Sequence, residues 1–226
     1  EPRVSTRCLQ NNLGELFDAD DPIFPATNIV DFPRLEIVDD IGERNDYIRF
    51  PSEWERNEEV FRILDEQTGD NTEVTIACAV QALNIFYIPD FLKWKLNFGF
   101  KKINMWPFGA GGINYHFVYH PPHLNVKILP AWFKDEIERK YEEFIPWWEE
   151  NWEKGVPSWH KGKVTHEQWR TASYGISRLR GMVSFMKSED WSQRMPEFRE
   201  YITKLDKMRG TNFCETFPEM SGLLNE

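Results

Sequence analysis

The spacing of apolar and polar positions divides the chain into an irregular start, an alternating middle and a helical end. In residues 1–34 no period is sustained, because Pro2, Pro22, Pro25 and Pro33 and the acidic cluster Asp18, Asp20 and Asp21 interrupt it. Leu35-Glu36-Ile37-Val38 then predicts a strand that stops at the turn-forming Asp39-Asp40-Ile41-Gly42. Pro51-Ser52-Glu53-Trp54 opens a helix, with Ser52 placed to cap free amides and Val60, Phe61 and Leu64 forming an apolar stripe. That helix is expected to end near Thr68-Gly69-Asp70-Asn71. The β-branched and small apolar run from Glu73 to Val80 predicts a buried strand, closed by Asn84. A second helix starts at Pro89-Asp90 and carries Phe91, Leu92, Trp94 and Phe98; Lys101 to Trp106 predicts a third strand. Strand and helix alternating in this way favour parallel pairing through helical crossovers.

Past residue 120 the pattern changes. Leu124 to Leu129 predicts one more strand, stopped by Pro130. Helical spacing then dominates over 130–153, 165–187 and 195–209, as in Trp132, Phe133, Ile137, Tyr141, Phe144 and Ile145. Pro146, Pro157 and Pro196 punctuate this run, and Gly210 is placed to end the last helix. The reading is an α/β class chain in three parts: an unplaced segment over 1–34, a parallel-stranded α/β portion over 35–129 and a helical extension over 130–226.

Composition narrows the function classes. Of 226 residues 41% are hydrophobic, enough for a sizeable core, and no apolar run reaches the length of a membrane-spanning helix. The formal charge of −10 is concentrated at the front; residues 101–129 carry three Lys and no acid, and 161–210, the one stretch long enough for a large basic face, has its eleven bases diluted by six acids. Nucleic acid is therefore disfavoured as a partner. Cys8, Cys78 and Cys214 are too scattered for a disulfide framework or a self-contained metal site, which fits a reducing, cytoplasmic compartment.

Candidate chemistry gathers where the strands end, because ligands of parallel α/β sheets sit at the carboxyl edge. Asp39 and Asp40 end the first strand; they suit ribose hydroxyls or an amine, or simply form a turn. Arg44 and Arg49 follow, suited to a carboxylate or phosphate, or to ion pairs with nearby acids. Asn84 ends the second strand. His116, His120 and His123 read as loop histidines, since Pro121-Pro122 keeps them off one helical face. Cys78 reads as a small core residue, and Trp147, Trp148, Trp152 and Trp159 as packing between the helical extension and the α/β portion.

Several segments resemble the second half of radical S-adenosylmethionine (SAM) enzymes of the twitch-domain, SPASM-like type. Leu35-Glu36-Ile37-Val38-Asp39-Asp40-Ile41-Gly42-Glu43-Arg44, then Tyr47-Ile48-Arg49 and Trp54, are similar to that family's S-x-D-[GD]-x-G strand end and the Y-x-R that follows it. Ala82-Leu83-Asn84 resembles the close of its next strand. Leu179-Arg180-Gly181-Met182, Ser188-Glu189-Asp190-Trp191 and Leu205 to Asn212 resemble its last helices. The resemblance covers residues 35–226 and implies a partial (β/α) barrel. In the family, three thiolates of a C-x-x-x-C-x-x-C motif hold a [4Fe–4S] cluster, whose open iron binds SAM and splits it into a 5′-deoxyadenosyl radical. By position, Asp39, with Asp40 beside it, would lie near the ribose and amino-acid part of SAM; Arg49 would pair with its carboxylate, and Asn84 would sit under the adenosine. The cluster motif and the family's G-G-E-P turn are absent, and Ile37 stands where the family has Ser. Beginning at Glu1, the chain is expected to be the carboxyl-terminal part of such an oxidoreductase, with neither SAM nor the cluster bound tightly by this part alone. The rival expectation is a catalytically silent interaction module on the same scaffold. A peptide or protein substrate and self-association through an exposed barrel edge complete the expectations.

Overall fold

A computed structural model describes residues 34–35, 38–67, 75–101, 103, 113–152 and 172–225. All of them belong to one unit, 32–226; residues 1–31 lie outside the described residues. The centre is a parallel three-stranded sheet in the order β1 (Arg34–Leu35), β2 (Thr75–Val80), β3 (Ile113–Phe117). β2 is central, paired on both edges, and both of its faces are covered as well: Ile76, Ala77, Cys78 and Val80 are buried, which explains a nearly continuous apolar run in place of alternation. Register places Leu35 opposite Ile76, and Ile76, Cys78 and Val80 opposite Ile113, Tyr115 and Phe117.

Between β1 and β2 lie α1 (Gly42–Ile48) and α2 (Trp54–Gln67), and between β2 and β3 lies α3 (Ile88–Asn97). Past residue 130 the described residues are mainly helical: α4 (Ala131–Asn151), α5 (Ala172–Lys187), α6 (Met195–Arg209) and the single turn α7 (Phe213–Thr216), with a 3₁₀ segment Pro218–Leu224. An α/β portion with parallel strands followed by a helical carboxyl-terminal part is thus what the chain forms.

Local expectations are corrected at several points. Residues 124–129 are not a strand but two 3₁₀ turns, Pro122–Leu124 and Val126–Ile128. The Asn125 side chain accepts from the Lys127 amide and donates to the Val118 carbonyl, which diverts the backbone from a ladder. Lys101 and Ile103, within the third predicted strand, are not in a strand; the rest of 101–106 lies outside the described residues. The third strand is instead Ile113-Asn114-Tyr115-His116-Phe117, where Ile113 and Tyr115 face the core. The helix predicted over 130–153 does run through Pro146, which sits inside α4 at an exposed position. Helix α1 was not anticipated. Its entry is a turn at Gly42, where φ of 59° lies in the left-handed region.

One apolar core runs from Val38 through the sheet to Leu223. The helical part closes onto the sheet through aromatic edges. Phe217, fully buried, meets the rings of Tyr47 and Phe213 at 5.1 Å each and that of Tyr87 at 5.9 Å. Tyr141 of α4 donates to the Ile85 carbonyl at 2.6 Å. Helices α4 and α5 approach at Gly175, where a Cβ would lie 2.5 Å from the indole of buried Trp148, so only glycine fits. Trp147 and Trp152 pack partly buried against the same core, as expected of packing residues, while Trp159 lies outside the described residues.

Candidate functional site

The segment that leaves β1 passes through Val38 into Asp39 and Asp40, both buried to within 2%. β1 itself ends at Leu35, and Asp39 resumes its pairing with a side chain: Oδ1 accepts from the Ala79 amide of β2 at 2.7 Å. The same carboxylate is gripped by the Arg49 fork, Nε to Oδ2 at 2.7 Å and Nη2 to Oδ1 at 3.1 Å. Asn45 of α1 accepts from the Asp39 amide at 3.0 Å, which fixes the helix under the turn. Three of the predicted site residues thereby meet: Asp39 with Arg49 directly, and Asn84 through the backbone. Asn84, fully buried, donates from Nδ2 to the carbonyls of Asp39 (2.8 Å) and Ala79 (2.9 Å), and its Oδ1 accepts from the Gln81 amide at 2.8 Å. Both of its donor hydrogens are thus spent on carbonyls. Its role is to stitch the ends of the first two strands together, and it has no donor left for an adenosine.

Asp40 faces elsewhere. Its Oδ1 accepts from the Ile41 amide at 2.8 Å and its Oδ2 from Arg44 Nε at 3.0 Å. Burial pushes this carboxyl from 3.8 up to about 6, against the opposing pull of Arg44 and the Ile41 amide. The Arg44 guanidinium lies 4.2 Å above the Tyr87 ring, and the Tyr87 hydroxyl donates to Glu219 Oε2 at 2.7 Å. Lys140 of α4 lies over the rings of Phe86 and Tyr87 and pairs with Asp90 at 2.6 Å. The sequence reading named Arg44 as a candidate but missed Asn45, Tyr87 and Glu219. Asn45 lies between the two segments that carry the resemblance, Leu35–Arg44 and Tyr47–Arg49, whereas the Tyr87–Glu219 contact spans 132 residues and has no local signal.

Cys78 sits opposite Tyr115, fully enclosed, and its thiol donates to the Asp39 carbonyl at 3.4 Å. Burial, with Asp39 and Asp40 nearby, raises that thiol well above its ordinary range, so it is a core group and not a thiolate ligand or nucleophile. Cys214 is exposed in α7, and Cys8 lies outside the described residues. Among the described residues no three His, Cys, Asp or Glu side chains are placed to hold a metal ion. His116 and His120 are exposed, and His123 packs 4.8 Å from the Tyr201 ring. No described helix is long and apolar enough to cross a membrane.

At the carboxyl end of β3 the chain forms an open cleft of about 240 Å³, lined by Tyr119, His120, Pro122, Trp191, Gln193 and Arg194. The site therefore occupies one edge of the sheet in two parts: an ion-paired, buried part at the ends of β1 and β2, and an aromatic cleft at the end of β3.

Comparison with known proteins adds no relative: no family model matches the chain, and no curated protein and no solved structure matches it.

Proposed function

We propose that this chain is the carboxyl-terminal part of a radical SAM oxidoreductase, contributing one half of a partial (β/α) barrel and part of the wall of its SAM and substrate cavity. The observation that carries the reading is the meeting of Asp39 and Arg49 at the carboxyl edge of parallel strands that follow one another in chain order. This is the edge on which parallel α/β folds place their ligands. In such an enzyme SAM and its [4Fe–4S] cluster supply the radical chemistry. The chain's own residues orient and enclose. Arg49, whose side chain is 37% exposed while one edge is held on Asp39, offers a preset guanidinium to a carboxylate. Asp39 aims that guanidinium and joins it to β2, and Asp40 holds Arg44.

The cluster does not fit the described residues: Cys78 is sealed in the core and Cys214 is exposed on a different segment. The proposal accordingly assigns the cluster to a preceding part of the polypeptide. A peptide or protein substrate and a cytoplasmic setting belong to the same proposal.

A second reading has an observation of its own. Asn84 is saturated by internal bonds and the Asp39 carboxylate accepts three, which suits a scaffold kept for its shape. On that reading the chain is a catalytically silent interaction module. The coding sequence upstream of Glu1 separates the two. An in-frame C-x-x-x-C-x-x-C supports the enzyme, and an upstream frame without it leaves the silent module.

A further inference from the structure

The cleft at the end of β3 has a composition that the SAM reading does not use. Its walls are overwhelmingly apolar and include two aromatic rings and a proline, while His120, Gln193 and Arg194 stand around them. Both rings are set before anything enters. Tyr119, 55% exposed, is braced edge-on against Phe185 at 5.8 Å. Trp191 is held at its backbone, whose amide donates to the Lys127 carbonyl at 3.1 Å, and at its indole, whose Nε1 donates to Glu189 Oε2 at 3.0 Å. Rings held in this way lose little freedom when a flat ligand enters.

Size and charge narrow the ligand. A volume of about 240 Å³ is below the roughly 300–1,000 Å³ of pockets for drug-sized molecules, so the guest is a single or fused ring with a short substituent. A cationic guest is disfavoured. Lys127 already lies 5.5 Å from the Trp191 ring and 4.5 Å from the Phe185 ring, and the one permanently charged lining residue is Arg194. Glu189, the acid at the Trp191 edge, is occupied by Lys127 and the indole. Arg194 donates from Nη1 to Glu197 at 3.1 Å, an exposed pair of the kind that contributes little, so its guanidinium remains available to a second carboxylate.

We propose that this cleft binds a small aromatic carboxylate, with the ring against Tyr119 and Trp191 and the carboxylate on Arg194. Two sources share that chemistry: a free aromatic acid and the carboxyl-terminal aromatic residue of a peptide. The proposal rests on the cleft alone and does not require that the protein bind SAM.

The test titrates the full chain with indole-3-propionate, its amide, and a Gly-Gly-Trp peptide with a free or amidated end, following the Trp191 indole N–H by NMR. Trp191→Phe assigns that resonance. At ordinary efficiency a ligand of about 14 non-hydrogen atoms gives a Kd of about 1 mM. Loss of the carboxylate in either amide weakens binding about tenfold, the worth of one hydrogen bond to a charged group. Tyr119→Ser, at an exposed position, weakens the acid several-fold with an unchanged Tm, and Arg194→Gln removes the preference for acid over amide. A tighter free acid or a tighter peptide identifies the source, and either result supports the site. Failure to saturate at about ten times that Kd overturns the proposal. Equal binding of acid and amide, or unchanged binding by Tyr119→Ser, overturns it as well.

Discussion

Asp40 and Lys95 are single residues whose burial sets how stability depends on pH. Asp40 is 1% exposed, and its carboxyl rises from 3.8 to about 6, chiefly through burial. The folded chain therefore holds this proton more tightly than the unfolded chain does, and Asp40 makes stability fall as pH rises from about 4 to about 6. A shift of this size corresponds to roughly 3 kcal/mol. Urea unfolding across that window should show the decline in the wild-type chain and a flatter profile in Asp40→Asn; parallel profiles would contradict the assignment. Lys95 is the converse case. It is 2% exposed, donates to the Ile103 carbonyl at 3.2 Å, and is lowered by burial from 10.5 to about 8, with Asp65 pulling the other way. A base with a depressed folded value destabilises fully below about 8, and the cost fades as pH rises toward 10.5. Lys95→Met should raise unfolding free energy by about 1–3 kcal/mol at neutral pH, with the gain shrinking at high pH. Denaturant melts at the two pH values check it.

At the scale of elements, the strand ends depend on polar side chains that replace backbone bonds. Asn84 serves three backbone groups at once, the carbonyls of Asp39 and Ala79 and the amide of Gln81. Asn84→Ala takes this partner from all three and leaves the Asp39 carbonyl only the weak Cys78 thiol, so unfolding free energy should fall by about 2–3 kcal/mol. A loss below about 0.5 kcal/mol, the usual effect of a surface change, would show that the stitch is not structural. The sequence carried much of this level. The stripe of Val60, Phe61 and Leu64 announced α2 (Trp54–Gln67), and Pro196 and Gly210 bracket α6 (Met195–Arg209) as expected. It also placed the second strand, because turn chemistry followed its apolar run; of the first, predicted over 35–38, Leu35 lies in β1, Val38 does not, and 36–37 lie outside the described residues. The run from Leu124 to Leu129 misled because a short, fully buried apolar segment has no period to distinguish strand from 3₁₀ turn. The strand at Ile113 to Phe117 escaped because His116 was read as a loop histidine, although Ile113 and Tyr115 alternate toward the core.

At the scale of the whole molecule, the helical part completes the edge on which the site lies. Tyr47 of α1 donates to Asp206 of α6 at 2.9 Å, Arg209 donates to the Tyr47 carbonyl at 2.8 Å, and Tyr87 reaches Glu219 near the carboxyl end. None of these partners could be read from local spacing, which is why the sequence named Asp39, Asp40, Arg49 and Asn84 but not what holds them. Phe217→Ala removes the ring shared by Tyr47, Tyr87 and Phe213, and should lower unfolding free energy by about 3–5 kcal/mol. Amide exchange should quicken across α1 in the same variant; unchanged exchange there would show that the helical closure does not brace the strand ends. The central claim, that this edge forms part of a SAM cavity, is tested most directly by 5′-deoxyadenosine release. The product of the complete reading frame, with iron and sulfide reconstituted under anaerobic conditions, is reduced in the presence of SAM. The account predicts SAM-dependent release that Arg49→Gln lowers by raising the KM for SAM; no release from the reconstituted protein, or release indifferent to Arg49, would contradict it.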